Sequence, residues 1–443
     1  MLMSKLYAGF ARADISPLES VPLSGYGKSS KRMSDSVSEP LYANCLALSD
    51  DQGSTAIVIV MDLGNMYAPL PSYRQDVADA VGLPVEKVQF CCTHTHSAPH
   101  LSNDEQESIP RYCQLLRQKL VESAVQAMAD RREATLSSAS IATESLNFVR
   151  RYVMLDGSFA GDNYGDHTIG YAGHESEPDR VLQVVRFARE GAKDIIMTNF
   201  QGHPHRASGS KKLNCTSDLV YWCRKELEDI LDCHALYFNG ASGNVNCHSR
   251  IKEENIQPDY ITHGKALAHY ALDALKQQHP VEGGLVQTSK KIYVGRCNHT
   301  EDHKVEDAKL VVARWNAGAT SKECRIGYEH LFNSPYHASS VITKAERPET
   351  MDVELNAISF GGVSMVFAPF ELFSDLGAAI KAGSPFDTTF VCCYANKIFS
   401  YMPTQLGFDH GGYGPNQCRF MPGTGEILVA EFTDMLHTLS KKQ

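Results

Sequence analysis

Apolar runs and amphipathic stretches alternate along this chain, and the apolar runs end in polar loops. Residues 56–61 are continuously apolar up to Asp62, the pattern of a strand buried on both faces. Residues 72–81 carry helical spacing that Gly82 and Pro84 stop. A short strand at 87–90 follows, then the segment Cys91-Cys92-Thr93-His94-Thr95-His96-Ser97-Ala98-Pro99-His100. The longest amphipathic helix falls at 110–130, with Leu116, Leu120, Ala124 and Met128 along one face. Beyond it the pattern predicts strands at 194–200 and 235–238 and helices at 217–231 and 263–276. Residues 283–346 are more polar and irregular, with one helix near 307–315, before strands at 364–368 and 388–393 restore the buried pattern.

Strands alternating with helices predict an α/β fold, a mixed, largely parallel sheet flanked by helices, with ligands bound at the C-terminal strand ends. No repeat or low-complexity linker interrupts the chain, so residues 1–443 are expected to form a single domain with a soft boundary near residue 285.

Composition narrows the function classes. The chain is 43% hydrophobic and 21% charged over 443 residues, which is enough to bury a sizeable core. A formal charge of -10, with no basic run interleaved with aromatics, argues against a nucleic-acid partner. Met1-Leu2-Met3-Ser4-Lys5-Leu6 lacks a signal peptide's apolar core, and no stretch reaches the roughly 18 apolar residues of a membrane span. The thirteen cysteines are scattered, include the vicinal pairs Cys91-Cys92 and Cys392-Cys393, and form no Cys-x-x-Cys. They read as small buried apolar groups in a reducing compartment. The expectation is a cytoplasmic protein with a small-molecule substrate, no membrane partner, and room for homo-oligomerisation.

Candidate chemistry collects at the strand ends. If the segment is extended, His94 and His96 point to the same side, a good start for a divalent metal site. Other strand ends deliver Asp62, then Gln201-Gly202-His203-Pro204-His205-Arg206, then the Asn239 to Asn246 loop, then Glu371 opening a helix-like segment. Imidazoles plus a carboxylate, with one position left for water, fit a catalytic zinc centre suited to amide or ester hydrolysis. Asp62 reads equally as a carboxylate holding an imidazole tautomer or as a strand-end cap. Asn244 and Asn246 also suit a tight turn. His100, His205 and His248 are extra imidazoles that suggest a hydrophilic substrate or a second metal.

These residues resemble the catalytic N-terminal domain of neutral ceramidases and bacterial ceramidase-like proteins. The resemblance rests on Thr93-His94-Thr95-His96-Ser97-Ala98-Pro99 and on the Gly9 to Pro17 start, followed by Gly25-Tyr26-Gly27. It continues through the strand ending in Asp62, Gly202-His203-Pro204, Gly243-Asn244-Val245-Asn246, Pro369-Phe370-Glu371, Tyr401-Met402-Pro403-Thr404 and Gly412-Tyr413. These matches run in order from residue 7 to about 430. The resemblance implies one Zn²⁺ held by His94, His203, Glu371 and Tyr401, with Tyr394 or Tyr413 as competitors for the tyrosine position. It further implies proton transfer by His96, substrate contact by Arg150 or the adjacent Arg151, and carbonyl polarisation by Tyr413.

Two departures bear on the substrate. Where the family has Gly-Asp-Val-Ser-Pro-Asn, this chain has Gly243-Asn244-Val245-Asn246-Cys247-His248. Asn246 therefore replaces the serine; an amide can donate to an oxyanion but is no useful nucleophile. The chain also ends soon after the tyrosine motif, so the family's accessory C-terminal β-domain is expected to be absent. Together these count against ceramide. The expected function is a zinc-dependent amidase acting through a metal-activated water on a small polar amide derived from an amino sugar, amino acid or carbohydrate. The alternatives are a metal-dependent lyase or isomerase on a sugar-like polyol, and a catalytically silent metal- or ligand-binding relative.

Overall fold

Alternate residues along the central strands face two different cores, and this alternation builds the architecture. The structure is a computed structural model that describes residues 4–26, 32–102, 106–162, 164–208, 212–282 and 284–441. Met1, Leu2, Met3 and Gly27, cited above, and the first residue of the 283–346 stretch lie outside them. In Thr55–Met61, Ile57, Ile59 and Met61 pack with the helices Leu70–Val81 and Ser108–Ala129, while Ala56, Val58 and Val60 belong to a second core. In Ile195–Phe200 and His234–Asn239, Ile196, Ala235 and Tyr237 face the helices Leu219–Leu231 and Tyr260–Leu275, whereas Met197, Leu236 and Phe238 face the second core.

Nine strands make the main sheet. Its path runs His234–Asn239, Ile195–Phe200, Val181–Arg189, Arg132–Ala142, Leu6–Asp14, Tyr42–Asp50, Thr55–Met61 and Val88–Cys92, with His279–Val281 paired beside Arg132–Ala142. A four-stranded sheet of Val286–Arg296, Thr350–Phe360, Val363–Phe367 and Thr388–Cys392 packs on its inner face through Ile358, Phe360, Met365 and Phe390. The far face of that second sheet is covered by Ser374–Gly383 and Thr424–Ser440. The resulting order is helices, sheet, sheet, helices, and the two sheets share one core.

The mixed α/β class stands. Parallel pairing is confined in the main sheet to Thr55–Met61 with Val88–Cys92 and Ile195–Phe200 with His234–Asn239, and in the second sheet to Val363–Phe367 with Thr388–Cys392. The other pairs are antiparallel, so the parallel share is smaller than the apolar runs imply. A strand sandwiched between two layers reads as continuously apolar whichever way its neighbour runs.

Local signals set the helix ends. Gly82 closes Leu70–Val81 at φ 67, where its N–H reaches the carbonyls of Ala78 and Asp79. Asp218 accepts the N–H of Leu219 at the start of Leu219–Leu231. Asp259 and Thr262 form a capping box on Tyr260–Leu275. The 283–346 stretch corrects the expectation of irregularity: it holds the edge strand Val286–Arg296 and the helices Val305–Asn316 and Pro335–Ala345. That strand hides because it is half exposed and carries Gln287, Ser289, Lys290 and Lys291. Glu371 is likewise corrected. It lies in the two-residue strand Glu371–Leu372, and the helix starts later, at Ser374. Among the described residues no helix is long and apolar enough to cross a membrane.

Asp62 resolves to a structural role. Its carboxylate takes two hydrogen bonds from Arg224, at 3.0 and 2.6 Å, and a third from the N–H of Tyr42 at 2.9 Å. Both side chains of the pair are buried, so the ion pair fastens the helix Leu219–Leu231 to the end of Thr55–Met61. Removing one buried partner strands the other charge. Asp62→Ala is expected to lose about 3–5 kcal/mol in urea unfolding, and a paired apolar replacement of Asp62 and Arg224 to recover most of it.

Candidate metal centre and its cavity

The histidine loop leaves the strand Val88–Cys92 with its backbone pinned on both sides. Thr93 N–H donates to Met61 O at 2.9 Å, and His94 N–H to Leu63 O at 3.0 Å. His94 sits at φ 68, so the segment is not the simple extended strand assumed from its spacing. The two imidazoles still converge, with His94 Nε2 and His96 Nε2 3.3 Å apart. Gly25 makes room for this. A Cβ there would stand 2.3 Å from Cγ of His96, and its φ of +96 disfavours a side chain as well.

Backbone carbonyls choose the tautomers. His94 Nδ1 lies 2.5 Å from Gly64 O, and His203 Nδ1 lies 3.0 Å from Val245 O. A carbonyl only accepts, so each Nδ1 carries the proton and each Nε2 presents a lone pair. Those lone pairs converge on Glu371, whose Oε2 is 3.5 Å from His94 Nε2 and 3.4 Å from His203 Nε2. His94, His96 and His203 bring one ligand atom each within 4.8 Å of one another. Donor atoms at about 2.0–2.1 Å from a tetrahedral ion stand roughly 3.3–3.4 Å apart, close to the 3.5 and 3.4 Å that separate Glu371 from the two imidazoles. His203 Nε2 and Glu371 Oε2 are buried with no hydrogen-bond partner. The donor set therefore fits a divalent ion such as zinc.

Burial tunes the same groups. It lowers the pKa of His94 to about 3 and pushes His96 and His203 well below the usual imidazole value, so all three are neutral at pH 7. It raises Glu371 to about 7, against the opposing charge of Arg150. Glu371 pairs in parallel register with Tyr401, and the tyrosine hydroxyl is a hydrogen-bond partner of the carboxylate. Arg150 donates to that hydroxyl at 3.0 Å and to Gly243 O at 2.8 Å. Gly243 is itself packed on the Glu371 backbone, where a Cβ would meet Glu371 O at 2.3 Å.

The two candidate arginines separate. Arg150 borders the site, whereas Arg151 is buried in an ion pair with Glu175 and also donates to Gly411 O at 2.8 Å. Tyr394 stacks on the His94 ring at 3.9 Å, with its hydroxyl 2.7 Å from Ser242 Oγ. Tyr413 packs edge-on against Tyr401 at 5.4 Å. Asn244 accepts the N–H of Ser374 at 2.7 Å, which holds the start of Ser374–Gly383. His100 leans on Tyr67 at 4.4 Å and stands outside the three-imidazole group.

Asn246 is held by a residue that the sequence did not reveal. Its Nδ2 donates to Asp162 at 2.6 Å, so its Oδ1 faces His205 Nε2 at 3.0 Å and Arg150 Nη1 at 3.5 Å. One N–H of its amide is thus taken by Asp162. Asp162 directly follows the short strand Phe159–Gly161, where the sequence shows no motif.

A cavity of about 850 Å³ opens beside this group. His96, Arg150, Tyr401 and Tyr413 form its inner end; His205 and His248 continue its wall. No Leu, Ile, Val, Met or Phe is among its described lining residues. Bound metal is expected to follow the geometry. Elemental analysis should show His94→Ala and His203→Ala each losing most bound zinc while His100→Ala keeps it; wild-type content in the first two would refute the centre.

No protein-family profile and no curated protein matches the sequence. Solved structures do match in fold. A neutral ceramidase from Pseudomonas aeruginosa superimposes with a TM-score of 0.72 at 14% identity, covering 99% of this chain and 75% of that one. A ceramidase complexed with C2 gives 0.70 at 15% identity, covering 100% and 76%. At these identities the likeness establishes the fold: the chain is folded like a ceramidase.

Proposed function

We propose that this protein is a metal-dependent hydrolase, with zinc as its ion, that cleaves amide bonds in small polar substrates. The observation that carries this reading is the buried imidazole–carboxylate group opening on a cavity with no Leu, Ile, Val, Met or Phe among its described lining residues. A fold shared with ceramidases supports the hydrolase class. The charged groups along the cavity wall, Arg150, Arg206, Lys212 and Arg250, favour a hydrophilic amide, of amino-sugar, amino-acid or carbohydrate origin, over ceramide.

In this reading His94, His203, Glu371 and Tyr401 hold the ion. Such an ion acts as a Lewis acid toward a carbonyl and makes water nucleophilic near neutral pH. Arg150 stands beside the Tyr401 hydroxyl and works toward the phenolate, but burial and Glu371 together push that hydroxyl well above the usual tyrosine range, so ligation by Tyr401 needs the charge of the ion itself. His96 takes the proton-transfer role, since it alone of the three clustered imidazoles lines the cavity. Arg150 stabilises negative charge developing on the carbonyl oxygen, and Tyr413 on the same wall orients that carbonyl. Asn246 cannot act as a nucleophile; it positions Arg150 and His205.

Turnover on a panel of N-acyl amino acids and N-acetyl sugars should be stoichiometric with zinc and abolished by chelation. His96→Gln is expected to keep its zinc and lose roughly 10²–10⁴-fold in kcat. Arg150→Ala should lose about 10²–10³-fold with zinc retained. Full zinc occupancy without turnover on a broad metabolite panel would favour a silent binding protein, and zinc loss in His96→Gln would make His96 a ligand.

A further inference from the structure

The outer wall of the cavity carries positive charge that the hydrolytic step does not use. Arg206, Lys212 and Arg250 line it, together with His248. Its two carboxylates are already engaged. Asp162 pairs with Arg250 at 3.1 Å, and Asp259 caps the helix Tyr260–Leu275. Arg206 is held by neutral acceptors: Gln257 O at 2.7 Å, His263 Nδ1 at 3.0 Å and Cys247 O at 3.4 Å. Lys212 donates to Arg206 O at 3.3 Å. Among the described residues, neither Arg206 nor Lys212 forms an ion pair. A guanidinium whose hydrogen bonds all go to neutral groups is presented already oriented, and the carboxylates nearest to it, Asp218 and Asp259, are engaged by backbone N–H groups. His248 adds a buried Nδ1 with no hydrogen-bond partner.

This wall lies close to the inner end. Ring centroids step 5.3 Å from His96 to His205 and 5.0 Å from His205 to His248, and Arg206 contacts the carbonyl of the residue preceding His248. A molecule a few bonds longer than its scissile group reaches both ends.

We propose that Arg206 and Lys212 bind an oxyanion, carboxylate or phosphate, on the substrate's end distal to the cleaved bond, beside an Arg250 already paired with Asp162. The substrate class is then a small anionic amide, such as an N-acylated acidic molecule or a phosphorylated N-acyl sugar. The word substrate rests on the hydrolase reading; the anion site does not.

Calorimetry on the full zinc-loaded chain tests the site without activity, using inorganic phosphate and glutarate in separate titrations. Saturable binding of at least one is expected, and which one binds separates the two oxyanions. Lys212→Gln and Arg206→Gln should each weaken it about tenfold or more, and roughly 0.5 M salt should weaken it further. Lys212 is exposed, so loss in Lys212→Gln is not explained by misfolding. Binding should survive in His203→Ala and in chelator-treated wild type. Absence of saturable binding up to about 10 mM of either anion would overturn the proposal. So would binding that vanishes on chelation but ignores Lys212→Gln, since the anion would then sit on the metal. Anion binding without amide turnover would retain this site and refute the hydrolase reading.

Discussion

Two backbone carbonyls govern the chemistry of this protein. Gly64 O and Val245 O each accept the Nδ1 proton of a buried imidazole, His94 and His203, and so turn both Nε2 lone pairs toward Glu371. Without those contacts, a buried neutral histidine has two equivalent tautomers and no fixed orientation. Each carbonyl belongs to a loop beyond a strand of a parallel pair: Gly64 follows Thr55–Met61, and Val245 follows His234–Asn239. Parallel neighbours end on the same side, so the loops that orient the rings and the loops that carry them are brought together. The second sheet repeats the arrangement, placing Glu371 beside Tyr401 after the pair Val363–Phe367 and Thr388–Cys392.

That dependence explains what could be read from the sequence. The parallel-pair strands are buried on both faces, so 56–61, 87–90, 194–200, 235–238, 364–368 and 388–393 stood out as apolar runs, and the polar loops after them held the site. Strands with a mixed face did not stand out. Arg132–Ala142 alternates buried Ala134, Leu136 and Ser138 with exposed positions, and Val286–Arg296 is mostly polar. Antiparallel pairing was invisible for the same reason, because direction leaves no mark on a doubly buried strand.

Residue type alone could not separate neighbours that do different work. Arg150 and Arg151 are adjacent, yet one borders the cavity and the other is bound to Glu175. Asp62 carries the same carboxylate as Glu371, but its hydrogen bonds to Arg224 and Tyr42 make it a fastening for a helix. Asp162 was silent because its role exists only through Asn246, a contact spanning two segments with no shared pattern.

Asn246 also connects the two ends of the cavity. Its carbonyl oxygen faces Arg150 at the inner end and His205 on the wall, while its amide nitrogen binds Asp162, which in turn pairs with Arg250 on the outer wall. A serine hydroxyl also offers one donor and two acceptors, but on a single atom close to the backbone, whereas the amide carries its donor and its acceptor on separate atoms and so reaches in both directions. The amide thus ties the orientation of the inner arginine to the engagement of the outer carboxylate. Occupying Asp162 leaves Arg206 and Lys212 as the unpaired charges of the wall. Through Asn246 a shift of the inner arginine is felt at Asp162 and Arg250, so the geometry of one end of the cavity is coupled to the charge balance of the other.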